Sequence, residues 1–107
     1  MPNPQRGDIA AILDGRQRTL RLTLGAIAEL EAALGASGIL GLAERLEQGD
    51  LTARQAIGLI GAGLRGAGSA VTDAEVAAMV PEGGASGTLR LVTRLLEAAF
   101  PKPAQGA

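Results

Sequence analysis

At Arg21 to Gly35 the chain changes from a two-residue rhythm to a helical one. Upstream, apolar and polar side chains alternate; from there Leu24, Ile27, Leu30 and Leu34 recur at the spacing of one helical face. Thr23 supplies the start, because its hydroxyl can accept a hydrogen bond from an otherwise unpartnered N–H of the first turn. Gly35 supplies the stop, since the left-handed residue that ends a helix costs least without a Cβ. The chain therefore passes directly from an extended segment into a helix, and this joint is expected to be the hub of the fold.

Upstream of the joint, Arg6 to Leu13 and Arg16 to Thr23 read as two strands joined by Asp14-Gly15, a pair that tolerates the positive φ angles of a two-residue turn. Pairing Leu13 with Arg16 sets Ile9 opposite Leu20 and Gly7 opposite Leu22. Ile9, Ala11, Leu13, Leu20 and Leu22 then share one face, while Ala10, Ile12, Gln17, Thr19 and Arg21 share the other. Two strands alone are marginal, and Ile12 on the polar face points to further pairing, with another chain as one source of it.

Downstream, Ile39, Leu42, Ala43 and Leu46 predict a second helix that Gly49 ends. Thr52-Ala53-Arg54-Gln55 and Thr72-Asp73-Ala74-Glu75 are capping boxes, so a third and a fourth helix should start there, the fourth running to about Val80. The third has an apolar stripe of Ala53, Ala56, Ile57, Ile60 and Leu64, interrupted by Gly58, Gly61 and Gly63. Each glycine costs about 1 kcal/mol against alanine, so close packing against a neighbour, or local weakness of the helix, must account for them. Gly61 to Gly66 also fits the G-x-G-x-x-G dinucleotide pattern, but that pattern binds pyrophosphate only between a strand and a helix start, and here it ends a helix. After a flexible connection from Pro81 to Gly87, Leu89, Val92, Leu96, Ala99 and Phe100 form a last stripe, widened by Leu91 and Leu95, until Pro101 stops it. These elements predict an α+β fold, an N-terminal β-hairpin followed by four to five short packed α-helices. Residues 1–5 should be a flexible N-terminus, 6–100 one domain, and 101–107 a disordered tail. The expected core is Ile9, Leu20, Leu22, Ile27, Leu30, Leu34, Ile57, Ile60, Val92 and Leu96.

The composition narrows the chemistry. With no cysteine and no histidine among 107 residues, disulfides and imidazole or thiolate metal sites are excluded, and Ser37, Ser69 and Ser86 have no histidine to activate them. Glu29 and Glu31, two apart on a helix, fall on different faces, and Glu44 with Glu47 is a solvated face. No catalytic, cofactor or metal site is expected, and the chain should not be an enzyme. No run reaches the eighteen apolar residues of a membrane span and no basic-then-apolar leader opens the chain, so a soluble, cytoplasmic protein is expected. Net charge is −1, unevenly spread, at +2 over residues 1–21, −4 over 22–50 and +1 over 51–107. That polarity can orient a protein partner. It is far from a nucleic-acid-binding stripe, and Phe100 as the sole aromatic offers no stacking platform, which argues against the alternative of a small DNA-binding accessory protein.

Arg21-Leu22-Thr23-Leu24-Gly25-Ala26-Ile27-Ala28-Glu29-Leu30-Glu31, preceded by Asp14-Gly15-Arg16, resembles the signature of the small tail proteins of gene transfer agents and related tailed phages. The likeness continues through Leu51-Thr52-Ala53-Arg54, Ile60 to Gly66 and Thr72-Asp73-Ala74-Glu75, and so covers residues 5 to 100. Such proteins go by two names, tail tube protein and tail assembly chaperone. The resemblance implies a non-enzymatic role in tail morphogenesis. In one version the chain is a chaperone that covers apolar surface on the tape-measure protein until the tube polymerises. In the other it is a tube component that self-associates, with the hairpin edge as a homo-oligomer contact, and is incorporated in the particle tail. A helical client needs an apolar groove, and Leu59, Leu64, Leu91 and Leu95, in excess of the stripes, are the expected partner-binding residues. The alternative is that these leucines complete a core almost without aromatics.

Overall fold

The computed structural model describes residues 7–35 and 38–99. The expectations for residues 1–5, for Phe100 and for 101–107 lie outside the described residues. β1 (Ile9–Leu13) and β2 (Arg16–Leu20) form the antiparallel hairpin in the expected register, with Ile9 opposite Leu20 and Leu13 opposite Arg16. Asp14 at φ 55° and Gly15 at φ 72° make the turn. Both strands are shorter than the alternation implied. Past Leu20 the backbone N–H of Arg21 donates to the carbonyl of Gly63 at 2.8 Å, so the chain leaves the ladder for a helix. Asp8 and Arg21 still face each other there, joined by Nε–Oδ1 and Nη2–Oδ2 bonds of 2.5 and 3.0 Å. The Asp8 side chain is 3% exposed, and its hydrogen bond raises the Arg21 pKa above the usual arginine value against the opposing effect of desolvation.

Five helices follow, α1 (Leu24–Leu34), α2 (Gly38–Gln48), α3 (Ala53–Gly66), α4 (Asp73–Ala77) and α5 (Gly84–Ala99), giving the expected α+β layout. Thr23 caps α1 by accepting from the Ala26 N–H at 3.0 Å, and Gly35 ends it at φ 97°. Both capping boxes close, Thr52 with Gln55 and Thr72 with Glu75.

The hub is α3 rather than the strand-to-helix joint. It packs against α1, β2, α4 and α5 and is buried without a break from Leu59 to Leu64. Two of its glycines exist for the joint. A Cβ at Gly63 would touch Leu20 and Leu95 side chains at 3.2 to 3.3 Å, and one at Gly66 would collide with the carbonyl oxygen of Arg21. Gly58, by contrast, faces open space, and Gly61 faces the carboxylate of Asp73 and the guanidinium of Arg65 rather than an apolar helix.

Two expected boundaries move for one reason. α4 stops at Ala77, short of Val80, because the following segment runs extended along β1. Asp14 N–H donates to Val80 O at 2.8 Å, Glu82 N–H donates to Ile12 O at 3.0 Å, and Pro81 bridges Leu13. The further pairing foreseen at Ile12 is thus supplied within the chain. Gly83 and Gly84, at φ 83° and 60°, then reverse the backbone, and α5 begins at Gly84 instead of after Gly87, which places Ser86 on a helix.

The core holds Ile9, Leu20, Leu30, Ile60, Val92 and Leu96 as expected, whereas Leu22, Ile27, Leu34 and Ile57 are half-buried at its margin. Leu24, counted in the α1 stripe, is 87% exposed. On α5 the buried face is Leu91, Val92, Leu95 and Leu96, turned from the expected stripe so that Leu89 is exposed.

Candidate partner-binding surface

Leu59, Leu64, Leu91 and Leu95 are all interior, with Leu59, Leu64 and Leu95 at 0% exposure and Leu91 at 5%. The expectation that they form a working surface is corrected by this placement: a side chain with no accessible surface offers nothing to a partner. They fill the core of a chain with one aromatic residue, where close approach of small residues on α3 leaves the leucines to supply the volume.

An apolar groove lies instead over the N-terminal half of α3. One depression is lined by Leu13, Ala56, Ile57, Ile60, Val76, Met79, Pro81 and Thr88, and a second by Leu51, Thr52, Ala56, Ala85, Leu89 and Val92. Ala53, Ala56 and Thr88 line both, so the two depressions adjoin and together make a trough along α3, flanked by α4 and α5. No charged side chain lines it. Its most buried lining residues are Leu13, Ala56, Ile60, Val76 and Val92, and Leu89 stands 52% exposed on its rim. Sequence periodicity misses this trough because its walls come from three helices whose relative placement the Val80–Glu82 strap fixes. The exposed rim position of Leu89 has no signal in the sequence either, since the residue fits the α5 stripe as well as its buried neighbours do.

The long-range polar contacts of the helices lie outside the trough's lining. Arg65 ties three elements together, bonding Glu29 of α1 through Nη2 and Nε, Asp73 of α4 through Nη2 at 3.0 Å, and the Val71 carbonyl through Nη1 at 2.9 Å. The Glu29 hydrogen bond is the largest cause of a raised Arg65 pKa, opposed by burial and assisted by Asp73. Arg94 of α5 donates to the Ala10 carbonyl at 3.0 Å and so covers part of the outer edge of β1. Among the described residues no three side chains of the His, Cys, Asp or Glu types converge as a metal site would require. No single helix there is long and apolar enough to cross a membrane. Among the described residues the side-chain hydrogen bonds are capping, threonine-to-backbone, arginine-to-carbonyl, backbone-to-aspartate and arginine–carboxylate contacts.

The family model described as phage tail tube protein, GTA-gp10, matches residues 6–102. No curated protein and no solved structure matches the chain.

Proposed function

Because the chain belongs to the phage tail tube protein family GTA-gp10, a structural family of phage-like tails, we propose that it serves tail morphogenesis as an assembly chaperone for the tape-measure protein. The observation that carries this reading is the uncharged trough over α3, whose apolar lining suits the apolar face of a client helix. The hairpin supports it indirectly. One of the two sheet edges is occupied by the chain's own Val80–Glu82 segment and by Arg94, which leaves little edge for tube walls built by strand pairing. In this role the protein binds no nucleic acid and acts without a cofactor.

The competing reading, a tube component that self-associates and stays in the tail, draws on the family description and on the edge of β2 that remains open. Co-expression with the tape-measure protein separates the two. The wild-type chain should co-purify with it, and Leu89→Glu, on the rim, should fold and lose the complex. Leu24→Glu, at a leucine that is also exposed but lies outside the trough, should retain it. A tape-measure complex that survives Leu89→Glu unchanged would refute the trough as the site.

A further inference from the structure

We infer that the open edge of β2 is a docking strip for an extended, acidic segment of a partner protein, which would add to the hairpin as a neighbouring strand. The strip is on a different element from the trough, and the inference does not depend on the chaperone reading. A two-residue turn makes Leu13 and Arg16 a hydrogen-bonded pair, so along the ladder Ile12 with Gln17 and Ala10 with Thr19 are pairs whose N–H and C=O groups point outward. On β1 the two outward carbonyls are engaged, that of Ala10 by Arg94 and that of Ile12 by Glu82. On β2 the next outward N–H, that of Arg21, goes to Gly63. Among the described residues nothing takes the backbone groups of Gln17 and Thr19. They present two donors and two acceptors about 7 Å apart along the edge, the spacing of alternate residues in any added strand.

The side chains say which strand. Arg16 and Arg18 share the inner face, and Arg18 Nε is buried with no hydrogen-bond partner among the described residues. An incoming residue opposite Arg18 would have its Cβ roughly 5 Å away on that face, where a carboxylate can reach the guanidinium. A second copy is a poor occupant. The antiparallel register that bonds Gln17 to Thr19 of the second copy, and so uses all four backbone groups, sets Arg18 against Arg18, a like-charge pair. Nor does this chain offer such a segment, because Glu29, Glu31, Glu44, Glu47, Asp73, Glu75 and Glu97 sit on helices, and Asp8, Asp14, Asp50 and Glu82 are each without a second acid two residues away. The occupant that fits is an extended segment with acids on alternate positions and small or β-branched residues between them.

The probe is an end-blocked heptapeptide in which glutamate alternates with valine, titrated into the full chain and followed by amide chemical shifts. Shifts should concentrate at Gln17 and Thr19. The glutamine analogue of the peptide, and the Arg18→Gln protein, should each bind about fivefold more weakly. Thr19→Pro removes an N–H that faces away from β1, a placement an edge strand tolerates, and should abolish binding. Should Thr19→Pro fail to fold, amide exchange at Gln17 and Thr19 of the wild-type chain decides, slowing on peptide addition supporting the strip and unchanged exchange overturning it. Absence of shifts at these amides with millimolar peptide would overturn the inference, as would equal binding of the glutamine peptide or binding that survives Thr19→Pro in a folded protein. Concentration-dependent shifts at the same amides without peptide would assign the edge to a second copy instead.

Discussion

Gly66→Ala should destabilise the protein and Gly58→Ala should stabilise it, although both replace a glycine of α3 with a better helix former. At Gly58 an added Cβ meets nothing within 4 Å. The gain is then the propensity difference of up to about 1 kcal/mol, which in a domain of this size raises Tm by roughly 4–8 °C per kcal/mol. At Gly66 the added carbon collides with the Arg21 carbonyl oxygen and comes within 3.4 Å of the Ala26 Cβ. A backbone atom cannot rotate aside as a side-chain end can, so overpacking of about 1–3 kcal/mol is expected. Moving Arg21 also strains its 2.8 Å hydrogen bond to Gly63, worth about 1 kcal/mol. Set against the propensity gain, the net loss is about 1–3 kcal/mol. Thermal and urea denaturation by circular dichroism measure both variants. Equal stability of the two would show that the strand-to-helix joint does not press on α3, and the explanation of its glycines would be wrong.

Leu95→Glu and Leu59→Glu should unfold the protein, because each puts a carboxylate at a position with 0% exposure, a cost of several kcal/mol against a marginal stability. Loss of the cooperative far-UV transition is the readout, and a folded variant would return these leucines to the surface. Asp8→Leu should lower Tm more than the double replacement with Arg21→Leu, since the single change strands a guanidinium whose carboxylate partner is buried; a Tm no lower for the single variant would mean the pair does not fix the hairpin base. Thr52→Ala removes the hydroxyl that accepts from Gln55 N–H at 3.1 Å and should cost about 1 kcal/mol in urea denaturation.

Much of the fold was legible because local chemistry carries it. Asp14-Gly15 fixes the hairpin register, Thr23, Thr52 and Thr72 set three helix starts, and Gly35 sets an end. What the sequence hid depends on how elements meet. Val80–Glu82 carries no strand pattern, and Pro81 in particular argues against one, yet the segment is held by hydrogen bonds to Ile12 and Asp14. Its course shortens α4, starts α5 early and turns the α5 face so that Leu91 and Leu95 go inward and Leu89 outward. Leu91 and Leu95 were expected at a surface for that reason. Counting apolar residues in excess of a stripe cannot tell which flank of the stripe is covered, and the trough forms only where α3, α4 and α5 are already assembled.

The proposed role as a chaperone is tested most directly by quantitative mass spectrometry of purified phage-like particles beside the cell lysate that produced them. A chaperone for the tape-measure protein should be abundant in the lysate in complex with its client and missing, or far below one copy per tube ring, in the finished particle. Recovery from particles at a fixed stoichiometry matching the tube would contradict that role and make this chain a component of the tail.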